Sequence, residues 1–163
     1  MKRLFIILLS LSMLCFCCAA CSTQSAREDI SGGEQSGEDA EYKEGTMYVY
    51  IGGNRLAVAV AESAAAERLI DLLSQDDIIF TVNDYGGFEK VGYLGFELPR
   101  SDERISVEPG DIVLYQGNQI SMFYAPSSWS YTRIGRVEGY SQSRLRMLLC
   151  AGSGEESVRL SLE

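Results

Sequence analysis

Apolar and polar positions change period several times along this chain, and each change marks an element. The first apolar stretch, Leu4 to Ala20, has no period at all: seventeen residues pass without a charge. Ser22 to Gly45 then has almost no large apolar residue. From Thr46 the pattern becomes short and alternating, which predicts strands. TMYVYI (46–51) and RLAVAVA (55–61) flank Gly52-Gly53-Asn54, a turn signal, and predict a hairpin. Ala65, Ala66, Leu69, Leu72 and Leu73 share one helical face, predicting an amphipathic helix over 64–74 with Ser63 as its N-cap. IIFTV (78–82) predicts a strand, Asn83 to Gly92 a glycine-rich loop, and Tyr93 to Leu98 an extended segment ending at Pro99. Glu108-Pro109-Gly110-Asp111 has turn composition. IVLY (112–115) and ISMFY (120–124) form a second predicted hairpin, followed by a loop over 125–130 and a strand in YTRIGRVEG (131–139). A short helix over 141–150, stopped by Gly152, and a final strand in SVRLSL (157–162) complete the reading. Many short strands with two short helices predict a mainly β fold, a closed or nearly closed small barrel, because an open sheet would expose its edges.

The unpatterned start is not part of that fold. Lys2 and Arg3 precede the uncharged run, and Ala19-Ala20-Cys21 ends it. That order fits a secretory signal over residues 1–20. A retained span is the alternative, but seventeen residues sit at the bottom of the spanning range and no basic stop follows. Residues 21–45 read as a polar, disordered tether, which as a flexible coil would reach about 27 Å. The folded domain is expected over 46–163.

Charge and cysteine usage narrow the function classes. The formal charge is −9, and loss of Lys2 and Arg3 takes it to −11. No basic footprint for nucleic acid exists. The chain has no histidine, which removes Ser-His-Asp and Cys-His catalysis and the commonest zinc ligand. No phosphate-cradling glycine spacing or calcium loop occurs, so no cofactor and no metal are expected. Beyond Cys21 only Cys150 remains, so the domain has no internal disulfide to rely on.

Two resemblances follow from these segments. Two small residues before Cys21, at the end of the apolar run, resemble the lipobox of bacterial lipoproteins, with Cys18 where that pattern usually has leucine. The resemblance implies lipid on Cys21, a membrane partner through that lipid, and an extracytoplasmic, membrane-anchored location. DYGGFEKVGYL (84–94) and PGDIVLYQGNQISMFYAPSSWSYTRIGRVEG (109–139) resemble the small bacterial and archaeal cyclophilin-like domains. That resemblance implies a small closed β-barrel capped by two short helices. It implies no agreed activity. The better-known cyclophilins are peptidyl-prolyl isomerases, but their motifs around the active arginine are not found here.

The candidate site comes from aromatic density. Alternation puts Met122 and Tyr124 on one sheet face and Phe123 on the other. Trp129, the single tryptophan, sits among serines. The glycine-rich loop and the Trp129 loop are expected to meet, bringing Tyr85, Glu89, Trp129, Tyr131 and Arg133 around one concavity with Phe123 as its floor. Glu89 and Arg133 would pair when the site is empty, which suggests a carboxylate or an amide as ligand. Asp111 is expected to cap its turn. Three functions stay open: a module binding a small molecule or peptide, a prolyl isomerase using Arg133 or Arg136, and an accessory subunit of a membrane complex.

Overall fold

The computed structural model describes residues 42–163, with side chains from Met47 onward. The signal segment 1–20, Cys21 and most of the 21–45 tether lie outside the described residues. The elements are β1 (Tyr42–Ile51), β2 (Asn54–Ala61), α1 (Ala64–Leu73), β3 (Ile78–Tyr85), β4 (Glu89–Tyr93), β5 (Glu103–Val107), β6 (Asp111–Tyr115), β7 (Gln119–Phe123), β8 (Ser127–Arg136), α2 (Gln142–Leu148) and β9 (Glu156–Ser161). β1 therefore begins at Tyr42, inside the segment read as tether, and pairs there with the end of β2.

The strands run in the order β2-β1-β9-β3-β4-β7-β6-β8-β5, and a further pairing of β2 with β8 closes the first eight into a ring. At this seam Val60 faces Gly135. A Cβ on Gly135 would stand 2.6 Å from the carbonyl oxygen of Ala59, so the two backbones approach as closely as they do only because a glycine is there. Both helices start where a serine caps them. The Ser63 hydroxyl accepts from the Ala66 N–H at 3.1 Å and the Ser141 hydroxyl from the Arg144 N–H at 3.3 Å, each satisfying an orphan donor.

Alternation along the strands divides the apolar side chains into two clusters. The main one holds Met47, Val49, Leu56, Val58, Ile112, Leu114, Ile120, Met122, Tyr124 and Ile134, together with Leu69 of α1 and Leu145 of α2. Val113, Phe123 and Tyr131, on the opposite face of β6, β7 and β8, form the second together with Ile105 and Val107 of β5. That outer cluster exists because β8 is long. Its C-terminal half pairs with β6 in the ring, and its N-terminal half, Ser127–Tyr131, pairs with β5 as a two-stranded ribbon.

Three parts of the sequence reading change. Residues 83–92 are the ends of two paired strands joined by a tight turn at 86–88, with Tyr85 opposite Glu89, and not a long loop. The segment around Trp129 is strand: Trp129 lies opposite Ile105, and pairing with β5 overrides the serine-rich composition. β5 itself was not anticipated, although Ile105 and Val107 alternate with polar neighbours.

Candidate functional site

The β3–β4 hairpin sets the site up. Gly86 and Gly87 have φ of 59° and 75°, a left-handed region that suits glycine, and bring Glu89 back opposite Tyr85. Successive residues of a strand point to opposite faces, so Glu89 and Lys90 part company. Lys90 turns into the ring and is fully buried. Its ammonium donates to Asp84 Oδ2 at 2.9 Å, to the Gly154 carbonyl at 2.8 Å and to Ser153 Oγ at 3.2 Å. Asp84 also accepts from the N–H groups of Gly152 and Gly154, each at 3.0 Å, and from the Tyr124 hydroxyl at 3.0 Å. Burial works to raise the Asp84 carboxyl. Hydrogen bonds from Lys90, the two glycine N–H groups and Tyr124 outweigh it and hold the carboxyl at about 2. Burial and the Asp84 carboxylate together push the Tyr124 hydroxyl up to about 12. This network locks the hairpin to the loop after α2.

Glu89 turns outward, into a cavity of about 550 Å³. Pairing places Val91 beside Ser121 and Tyr93 beside Gln119, with Tyr115 opposite Gln119 on the other side. These side chains form one wall. The β8 ribbon supplies the other through Ser127, Ser128, Trp129 and Tyr131, and Tyr85, Phe88 and Gln116 complete the lining. The rim is wet and aromatic: Tyr85 is 63% exposed, Tyr93 67% and Trp129 55%. The base is dry, with Glu89 6% and Tyr131 7% exposed. Ring contacts link the two walls underneath. Tyr85 meets Phe88 edge-on at 6.0 Å, Phe88 stacks on Phe123 at 6.2 Å, and Phe123 meets Tyr131 at 5.6 Å. Tyr131 meets Tyr115 at 6.0 Å.

Glu89 is the charged member of this lining. Burial pushes its carboxyl above the ordinary carboxylate range, against the Ser121 hydroxyl, which pulls it down. Its Oε2 has no hydrogen-bond partner among the described residues. An orphaned buried acceptor costs about 1–3 kcal/mol. Tyr131 responds to the same surroundings: burial and the Glu89 charge both raise its hydroxyl.

Of the residues the sequence singled out, Tyr85, Glu89, Trp129 and Tyr131 share this cavity. Phe123 is fully buried beneath Phe88 and Tyr131, supporting the base without lining it. Arg133 is outside. Strand register puts it in line with Val91, Ser121 and Val113. Val113, packed with Ile105, Val107, Phe123 and Tyr131, stands between Arg133 and the cavity. The expected Glu89–Arg133 pair is therefore absent, and with it the cation that suggested a carboxylate ligand. Arg136 pairs with Asp111 at 3.5 Å, and the Arg133 charge acts weakly on the same carboxyl. Burial raises the Asp111 carboxyl, while the Glu108 N–H and then the two arginines oppose the rise. Asp111 Oδ2 accepts from the Glu108 N–H at 2.7 Å, the turn-capping role expected of it. Tyr93, Tyr115 and Phe88 were missed, although the alternation Glu89, Val91, Tyr93 was there to be followed.

A family model for the cyclophilin-like family matches residues 36–163. The chain belongs to the cyclophilin-like family. This cyclophilin-like domain is also similar to the solution structure of a hypothetical protein from Archaeoglobus fulgidus, with a TM-score of 0.54. The two are 19% identical over 78% of this chain and 100% of that one, a likeness of fold alone. No curated protein matches.

Proposed function

We propose that this cyclophilin-like barrel is a binding module that holds a small molecule or an extended peptide end in the cavity between β4, β7 and the β8 ribbon. The observation that carries this reading is Glu89, a nine-tenths buried carboxyl that lines an aromatic hollow and keeps one oxygen without a hydrogen-bond partner among the described residues. A volume of about 550 Å³ falls within the range of small-ligand pockets. Tyr85, Tyr93 and Trp129 stand exposed above the buried Glu89 and Tyr131, where a ligand that covered them would take their rings out of water. Isomerase chemistry gains no support, because neither Arg133 nor Arg136 lines this cavity. Thermal-shift screening of wild type against Trp129→Ala, over sugar, peptide, nucleotide and flavin panels, tests the reading. It predicts hits on wild type that weaken in the variant; an unchanged melting curve across every panel would count against it.

The same proposal places the module outside the cytoplasm, held to a membrane by lipid on Cys21. The Ala19-Ala20-Cys21 exit from an uncharged apolar run supports this. Two acyl chains anchor stably where one does not. Intact-mass measurement of the native protein is expected to show acyl chains on an N-terminal Cys21, and Cys21→Ser is expected to leave an unlipidated precursor.

A further inference from the structure

The cavity offers a ligand one charge and many ring faces. Its charge is the Glu89 carboxyl, nine-tenths buried, with one oxygen unpartnered among the described residues. Its aromatic lining comes from Tyr85, Phe88, Tyr93, Tyr115, Trp129 and Tyr131. The remaining polar groups of the lining, on serine, glutamine, tyrosine and tryptophan, are neutral. No lysine or arginine is present in the lining to meet an anion. The chain's formal charge of −9 further repels anions and attracts cations.

We propose that the ligand is an organic cation, a primary or N-methylated ammonium on a compact apolar body, with Glu89 as its counter-ion and the aromatic side chains as its walls. This rests on the binding-module reading above and names the ligand class for that same cavity. Three physical points carry it. A buried carboxylate without a cation is unfavourable; an entering ammonium supplies the opposite charge, and one that keeps an N–H can donate to the carboxylate as well. Aromatic faces present negative charge to a cation, and the attraction grows as water is excluded. An anion would meet Glu89 at the base and the ring faces along the walls, both repulsive. A neutral ligand would satisfy Oε2 and gain nothing electrostatic from the rings.

The test uses the full-length chain in detergent and a matched probe set: 2-phenylethylamine, its N,N,N-trimethyl derivative, 2-phenylethanol and 3-phenylpropionate. Calorimetry measures affinity, and quenching of the Trp129 fluorescence reports occupancy of this cavity. The cations are expected to bind at least about tenfold more tightly than the alcohol, with the carboxylate weakest. Glu89→Gln keeps the shape, removes the charge and replaces one acceptor oxygen with an NH2 donor. It is expected to lose at least about tenfold for the cations and to leave the alcohol within about threefold. Trp129→Ala, at an exposed rim position, is expected to weaken the cations while the fold stays intact by circular dichroism. Equal affinity for amine and alcohol, tighter binding of the carboxylate, or cation affinity unchanged in Glu89→Gln would overturn the cation assignment and leave the binding module standing. Absence of quenching and heat with all four probes would overturn the cation assignment too, and hits from the wider panels lost in Trp129→Ala would then show that the module reading survives it.

Discussion

Asp84→Asn is the perturbation that tests how this domain holds its site in place. Lys90 is fully buried, and its ammonium has three partners, of which Asp84 alone carries the opposite charge. Removing that charge strands a buried cation, a change that typically costs about 3–5 kcal/mol. Lys90→Met is expected to cost less, about 1–2 kcal/mol, because Asp84 is a fifth exposed and keeps two backbone N–H donors and the Tyr124 hydroxyl. The double variant is then expected to be more stable than Asp84→Asn alone, since no uncompensated charge is left. The acid limb gives an independent reading. Asp84 sits at about 2 in the fold and at 3.8 by its ordinary value. A depressed carboxyl stabilises the fold above its unfolded value and loses that contribution as pH falls through its folded value. At 1.36 kcal/mol per unit, the contribution is about 2 kcal/mol above pH ~4 and is gone below pH ~2. Urea unfolding followed by far-UV circular dichroism, from pH 7 down to pH 2, measures both. Asp84→Asn costing under about 1 kcal/mol, or retaining the wild-type acid limb between pH ~4 and ~2, would refute the reasoning.

Other predictions concern the seam, the cap, the floor and the excluded arginine. Gly135→Ala drives a Cβ against the Ala59 carbonyl at the β2–β8 seam and is expected to cost about 1–3 kcal/mol by denaturant melt. Ser63→Ala loses the bond from the Ala66 N–H and its own 2.7 Å bond to the Arg133 carbonyl; a loss of about 1–2 kcal/mol is expected by the same assay. Phe123→Ala empties the centre of the outer cluster and is expected to cost about 3–5 kcal/mol, read as a lowered unfolding midpoint. Arg133→Ala is expected to leave affinity for any cavity ligand unchanged by calorimetry, because Val113 and its neighbours separate the two.

Where local signals and tertiary pairing agree, this fold is legible from sequence. The α1 stripe and Ser63, the two hairpins around Gly52-Gly53 and Gly117, and the final strand all follow from period and turn chemistry. Legibility fails where pairing overrides composition. Ser127 to Ser130 has the composition of a loop, yet β5 supplies the missing backbone partners and makes it a strand. Asp84 to Lys90 reads as a charged, glycine-rich loop, because the sequence does not show that Lys90 has a half-buried anion to meet. A lysine with no exposed surface contradicts every average expectation for that residue, and only its partner, six positions away, explains it.

The site was half legible for a related reason. Aromatic density marks Tyr85, Glu89, Trp129 and Tyr131 in the sequence, though mainly as members of two loops and not of the paired strands that carry them. Which rows of different strands lie side by side is set by register, and register put Val113 between Ser121 and Arg133. A β-bulge adds to this. Ile112 faces Gly135 and Val113 faces Arg133, so Ile134 is left over between them and turns into the core. The consequence is chemical as well as geometric. With Arg133 beside Cβ-rich neighbours and Asp111, Glu89 faces the cavity without a protein cation, and the site changes from one that would neutralise an anion to one that lacks a positive charge. In the proposed cation reading, Val113 and the side chains packed with it are what keep the Arg133 charge away from the cavity. Val113→Ala should therefore be read for ligand charge as well as for stability: if it opens a path to Arg133, the preference for cations over the neutral isostere is expected to shrink, whereas an unchanged preference together with the usual loss of about 1–3 kcal/mol for a truncated core side chain would mean that Val113 acts as packing alone.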